Sequence, residues 1–134
     1  MIVLVDTCIW SLAFRRRSGT ASPLIRELEE LVRENRARLI GPVRQELLSG
    51  ISNDKQYESL RRQIRAFDDE PLRLADYESA ARIANACRRK SVAASAIDAL
   101  ICAVAIERKW LVFTSDRDFD AYTKVVPLSL HVAR

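Results

Sequence analysis

Apolar residues fall along this chain in two textures: short unbroken runs, and longer stretches spaced every three or four residues. Ile2–Val5 is a run of four, too short for a stable helix and rich in β-branched side chains. Such a run predicts a strand buried on both faces, as in a parallel sheet. It stops at Asp6, and Ile9, Leu12 and Ala13 then follow at helical spacing, predicting a helix over Thr7–Phe14 and a basic turn over Arg15–Gly19. Ser22-Pro23 opens a second helix with an N-cap and a proline at its first position, with Leu24, Leu28, Leu31 and Val32 inward. Arg38–Gly41 reads as a brief strand, and Pro42 starts a helix that runs through Leu48 and is stopped by Gly50. Asn53-Asp54 caps a long charged helix to about Phe67, and Pro71–Leu74 reads as a short strand.

The second half repeats the alternation. Asp76–Lys90 is an amphipathic helix with Ala80, Ile83, Ala84 and Cys87 inward. Ser95–Lys109 is apolar nearly all round and is expected at the centre of the molecule. Leu111–Phe113 is a second buried strand, Asp118–Tyr122 a short helix, and Val125–Leu128 an edge strand because it contains Pro127. Strands alternating with helices predict an α/β fold with a parallel sheet and right-handed crossovers. At 134 residues, without repeats or linkers, the chain is expected to form one domain spanning 1–134.

Composition removes several chemistries. The only histidine, His131, lies close to the last residue, so nucleophilic catalysis through a histidine and a zinc site of nitrogen and sulfur ligands both lack their parts. Cys8, Cys87 and Cys102 have no metal-ligand spacing and read as reduced core residues of a cytoplasmic protein. Met1 leads straight into the apolar run, so no secretory leader is expected, and Val92–Ile106 is too short and polar to cross a membrane. Lys and Arg number 22 against 18 Asp and Glu; gathering acids into one site leaves a more basic shell, which suits a polyanionic substrate.

The acids carry the chemistry. Asp6 and Asp116 each follow a short apolar strand, and on neighbouring strands about 4.8 Å apart their carboxylates share one sheet edge. Like charges so placed repel unless a proton or cation lies between them. An N-cap is the alternative role for both, and a capping box with Ser95 is the alternative for Asp98. Glu46 stands beside the apolar face of its helix, with pairing to Arg44 or another rim arginine as its alternative. Asp118 is either an outer ligand or a first-turn helix acid. Glu27, Glu29, Glu30, Asp68, Asp69 and Glu70 sit in charged runs and read as solvated faces. Carboxylates without His or Cys partners form a hard oxygen site suited to Mg2+ or Mn2+.

Four segments, V-D-T-C-I-W around Asp6, V-R-Q-E-L-L-S-G around Glu46, A-I-D-A-L-I-C-A-V-A around Asp98 and F-T-S-D-R-D-F around Asp116, occur in an order and spacing that resembles the PIN-domain family, in particular the VapC-type toxins of bacterial toxin–antitoxin pairs. The resemblance implies a three-layer sandwich: a central, mostly parallel five-stranded sheet flanked by about seven helices. It further implies an Mg2+- or Mn2+-dependent endoribonuclease, with Asp6, Glu46, Asp98 and Asp116 catalytic, Asp6, Asp98 and Asp116 holding the metal, and Asp118 a candidate further ligand. Thr7, Thr114 and Ser115 would support them, while Cys8 departs from the Ser or Asn common at its position. Such toxins dimerise, form heterotetramers or larger assemblies with a small antitoxin, and meet DNA only through it. Trp10, Leu12 and Phe14 are then candidates for the antitoxin groove, with core packing as their alternative, and Arg15, Arg16 and Arg17 for gripping RNA, with a solvated turn as theirs. Rival readings are an RNA-maturation nuclease, a module acting mainly in a DNA-binding complex with its antitoxin, and a phosphorylated receiver domain. The last lacks its second leading acid, since Thr7 follows Asp6, and its lysine at Thr114-Ser115-Asp116.

Overall fold

Three residues, Val3–Val5 (β1), form the axis of the fold, and all three are fully buried. In the computed structural model, which describes residues 1–15 and 22–134, β1 pairs in parallel with Ala37–Ile40 (β2) on one side and Leu111–Phe113 (β4) on the other. Asp69–Glu70 (β3) adds to the far side of β2, also in parallel, giving the order β3-β2-β1-β4. Seven helices surround this sheet among the described residues: α1 Thr7–Arg15, α2 Pro23–Arg33, α3 Gly41–Leu48, α4 Asp54–Ile64, α5 Leu74–Arg89, α6 Ala96–Arg108 and α7 Asp118–Thr123.

The strand order determines where the layers go. The chain steps from β1 to β2 to β3 in one direction, then jumps back past β1 to β4. Right-handed crossovers put the helices of the first two steps on one face and those of the return on the other. The contacts agree: α1 packs on α2 and α3, while α5 packs on α6. Connections leaving β1 and β4 diverge, which opens a crevice at the carboxyl ends of those two strands. The second return helix, α6, is buried continuously from Ala99 to Ala105, as its unbroken apolar sequence requires. Cys87 and Cys102 are buried free thiols, and burial pushes the Cys102 thiol up to about 12.

Four strands replace the expected five. Val125–Leu128 does not pair, because the Val125 and Val126 N–H groups both donate to the Tyr122 carbonyl at 3.0 Å, closing α7, and Pro127 has no N–H to offer. Pairing resumes only at one parallel bridge, Leu130 beside Val112, where Val112 N donates to Ser129 O and His131 N to Val112 O. Pro71–Leu74 is likewise no strand: β3 ends just before Pro71, and Leu74 already opens α5.

Several acids expected on wet faces are engaged. Asp69 pairs with Arg44, and Glu70 with Arg108. Glu27 is 4% exposed, lying on the apolar stripe of α2 between Leu24, Leu28 and Leu31. It accepts hydrogen bonds from His131 Nε2 (2.8 Å), Arg134 N (3.0 Å) and Arg134 Nε (3.0 Å). Burial alone would raise this carboxyl, but the bonds from Arg134 and His131 outweigh it and hold it at about 2. A depressed carboxyl contributes stability above its ordinary pKa of 4.5 that is lost as pH falls toward 2. Glu27→Gln is therefore expected to cost about 2 kcal/mol at pH 7. In urea unfolding the gap to the native chain should shrink as pH falls through 4 toward 2; a gap independent of pH would contradict the charge argument.

Candidate metal centre

The crevice is lined with acids because the strands end there. Asp6 directly follows β1, and its N–H still donates to Phe113 O of β4 (2.9 Å). Its carboxylate is 5% exposed. One oxygen accepts the Thr7 N–H at 2.7 Å; the other accepts the Thr114 hydroxyl at 2.8 Å and the Cys8 thiol at 3.5 Å. An ordinary N-cap would accept from the second or third residue of the helix, Cys8 or Ile9. Those N–H groups are not bonded to the Asp6 side chain; Ile9 N donates to the Asp6 carbonyl instead.

Thr114 connects two acids. Its hydroxyl donates to Asp6 and accepts the Asp116 N–H at 2.9 Å. One Asp116 oxygen accepts the Asp118 N–H at 2.9 Å, a tight turn that aims the start of α7 at the crevice. Ser115 N and Oγ donate to Cys8 Sγ at 3.4 and 3.3 Å, so the thiol ties the loop after β1 to the loop after β4. Cys8 therefore fills the bridging place that a hydroxyl or amide would otherwise occupy. The Thr7 hydroxyl is buried without a hydrogen-bond partner among the described residues.

Asp98 lies in the first turn of α6, half-buried. Ser95 Oγ accepts its N–H at 3.1 Å, but no reciprocal bond from the carboxylate completes a capping box. The carboxylate instead accepts the Tyr122 hydroxyl at 2.7 Å. Tyr122 is the residue that the sequence did not bring out. Its signal was spacing, since it stands four residues after Asp118 on one face of α7.

One carboxylate oxygen each from Asp98, Asp116 and Asp118 lie within 4.8 Å of one another. Asp118, read from the sequence only as a further candidate, is thus a full member of the cluster, whereas Asp6 stands just behind it, joined through Thr114. Burial, countered by the Thr114, Thr7 and Cys8 hydrogen bonds, leaves the Asp6 carboxyl raised, with Asp116 adding repulsion. Burial also raises Asp98, and repulsion from Asp6, Asp116 and Glu46 adds to it against the Tyr122 bond. Glu46 is exposed on α3 and outside the cluster, though close enough to act on Asp98. Arg44 does not neutralise it, being engaged by Asp69, Ile64 O and Phe67 O. Crowded carboxylates form a hard oxygen donor set, and a divalent cation fits it.

The remaining candidates separate. Trp10 is 2% exposed, donates Nε1 to Val5 O at 3.1 Å and contacts Phe14 and Phe67; it packs in the core, with one edge lining a cleft beside Arg38, Phe67 and Asp68. Leu12 is exposed and Phe14 half-buried. Arg15 is exposed at the end of α1, and Arg16 and Arg17 lie outside the described residues.

A parallel α/β sheet carrying an acid cluster at the carboxyl ends of its central strands defines the class. The PIN domain model matches residues 3–125, and the chain belongs to the PIN-domain family. Its fold is that of VapBC2 from Rickettsia felis bound to a promoter DNA fragment (TM-score 0.79, 18% identity, 98% of both chains). It is also that of FitAcB from Neisseria gonorrhoeae (TM-score 0.77, 20% identity, 98% of both chains). VapBC-1 from nontypeable Haemophilus influenzae is similar as well (TM-score 0.71, 17% identity, 98% of this chain and 97% of that one). No relative was found among curated proteins.

Proposed function

We propose that the chain is a divalent-metal-dependent endoribonuclease and the toxin of a toxin–antitoxin pair. The cluster of Asp98, Asp116 and Asp118, backed by Asp6, carries this reading. These side chains would hold Mg2+ or Mn2+, which when bound offsets charge on a phosphodiester and acidifies an attacking water. The chain's own residues do the rest. Asp98, Asp116 and Asp118 supply the negative charge that draws a cation to the crevice, and Thr114 keeps Asp6 and Asp116 in fixed relation. Glu46, exposed and free of an ion pair among the described residues, can take the proton of the water that attacks phosphorus as the P–O bond breaks. Arg15, Arg16 and Arg17, one helix length from Asp6, would grip the RNA backbone.

A small antitoxin is the partner in this reading, supported by the likeness of the fold to a toxin–antitoxin complex from Klebsiella pneumoniae. A groove of about 510 Å3 beside the end of α1, lined by Phe14, Ile51 and Leu60 among polar side chains, offers an apolar seat for a partner segment. In this reading the protein acts in the cytoplasm as a homodimer, or in larger assemblies with its antitoxin. No described helix is long and apolar enough to cross a membrane. A second reading, a module serving mainly a DNA-binding complex, is favoured by the two neighbours seen with DNA, VapBC2 and FitAB.

Protein freed of any partner decides between them. Cleavage of tRNA and rRNA should require Mg2+ or Mn2+ and stop in chelator. Mn2+ at about 100 times its dissociation constant should stabilise the fold by about 2.7 kcal/mol, a melting rise of roughly 10 °C. Cleavage undiminished by chelator, with no melting shift, would sink the metal mechanism. Tight partner binding without cleavage would favour the second reading.

A further inference from the structure

We propose that Tyr122 is a positioning residue for the cation site: its buried phenol holds Asp98 against the repulsion of the neighbouring acids and thereby sets the affinity for the ion. The inference rests on the metal-dependent reading above. Asp98, Asp116 and Asp118 approach within 4.8 Å, and each repels the others. Asp116 is restrained by the turn to Asp118, and Asp118 by its place at the start of α7. Asp98 is half-exposed near the open end of α6, and the Tyr122 hydroxyl is the only hydrogen-bond donor to its carboxylate among the described residues. Without that bond, repulsion and hydration would both draw the carboxylate outward, away from the other two.

The phenol is itself fixed. Tyr122 is 1% exposed, and its ring meets Phe119 edge to face with centroids 5.0 Å apart. Its carbonyl accepts both Val125 N and Val126 N, which locks the end of α7. Two acceptors face its one proton: Asp98 at 2.7 Å and Ala93 O at 3.5 Å, so the carboxylate receives it. Helix α7 thus contributes twice, with Asp118 at its first residue and, one turn on, the group that holds Asp98. Hydrogen-bond partners behind metal ligands commonly change affinity by about 10–100-fold when removed.

Tyr122→Phe removes only the hydroxyl and keeps the ring contact with Phe119. Mn2+ titration calorimetry should show affinity lowered by about 10–100-fold, with melting in chelator within a few degrees of native. Cleavage should recover toward the native rate at saturating Mn2+, moving the metal requirement and not the maximal rate. Phe119→Leu loosens α7 but leaves the hydroxyl, and its Mn2+ affinity should stay within a few-fold of native. Native-like binding by Tyr122→Phe, while Asp98→Asn loses the ion, overturns the proposal and leaves the metal site standing. Equal weakening by Phe119→Leu overturns it too, because packing alone would then explain the loss. A native chain that binds no Mn2+ removes the metal reading and this proposal together.

Discussion

Asp6→Asn is expected to lower metal-dependent RNA cleavage by about 10^3-fold, the scale on which a single preorganised electrostatic group counts. Asn keeps an oxygen for the Thr7 N–H, but its amide then faces the Thr114 hydroxyl, which now donates to Asp6. A donor meets a donor unless the hydroxyl reverses. Reversal turns the hydroxyl proton away from residue 6 and leaves its oxygen shared between the new amide and the Asp116 N–H it already accepts. The charge beside the cluster is lost as well. Stability should move the other way. Burial, with repulsion from Asp116, leaves the Asp6 carboxyl raised, so in the folded state its ionised form is disfavoured. A raised acid costs stability above its folded pKa, and the neutral amide removes that cost. Calorimetric melting in chelator should therefore show the variant at or above the native temperature while cleavage collapses. Cleavage within tenfold of native would contradict a site that depends on Asp6.

Arg108→Met is the substitution expected to harm the fold most. Near the end of α6 the guanidinium donates to Glu70 at 2.6 Å, to both oxygens of Asp76 at 2.9 and 3.0 Å, and to Pro71 O at 3.1 Å. Asp76 is 4% exposed, and Arg108 is its cation. Hydrogen bonds from Arg108, against burial and aided by the Arg73 N–H, hold the Asp76 carboxyl below its ordinary 3.8. Met fills similar space but strands a buried carboxylate, which costs about 3–5 kcal/mol, or roughly 10 °C or more in melting. The loss should be full above pH 4 and diminish below it, where the ion pair contributes less. Adding Asp76→Asn should recover part of the loss, and a strictly additive double variant would show the pair to be uncoupled.

The acids Asp6, Asp98 and Asp116 were legible because each sits at a boundary that hydrophobic periodicity defines, the end of a strand or the first turn of an apolar helix. Asp118 was legible as a candidate, and only the turn from Asp116 shows it inside the cluster. What sequence could not supply was who occupies whom. Arg44 does not pair with Glu46 because Asp69 and two carbonyls, from residues well along the chain, take it. Trp10 read equally as a groove residue or as core, and no sequence pattern hinted that Phe67 packs against it from another element. Val125–Leu128 has strand composition, yet α7 uses its first two N–H groups locally before the sheet can. Glu27 could have been found, since it lies on the stripe formed by Leu24, Leu28 and Leu31.

The bond between Thr114 and Asp6 joins positions 108 apart in sequence. A nascent chain leaves the ribosome with Asp6 ahead of residues 111–118, which complete the crevice and follow it by that distance. Strand β1 can pair with β2 early, but its other edge stays open until β4 arrives, a late, long-range step. Synthesis therefore separates scaffold from site: much of the hydrophobic scaffold can assemble while the chain is still attached, but the acids come together only after β4 and the loop that follows it have been made.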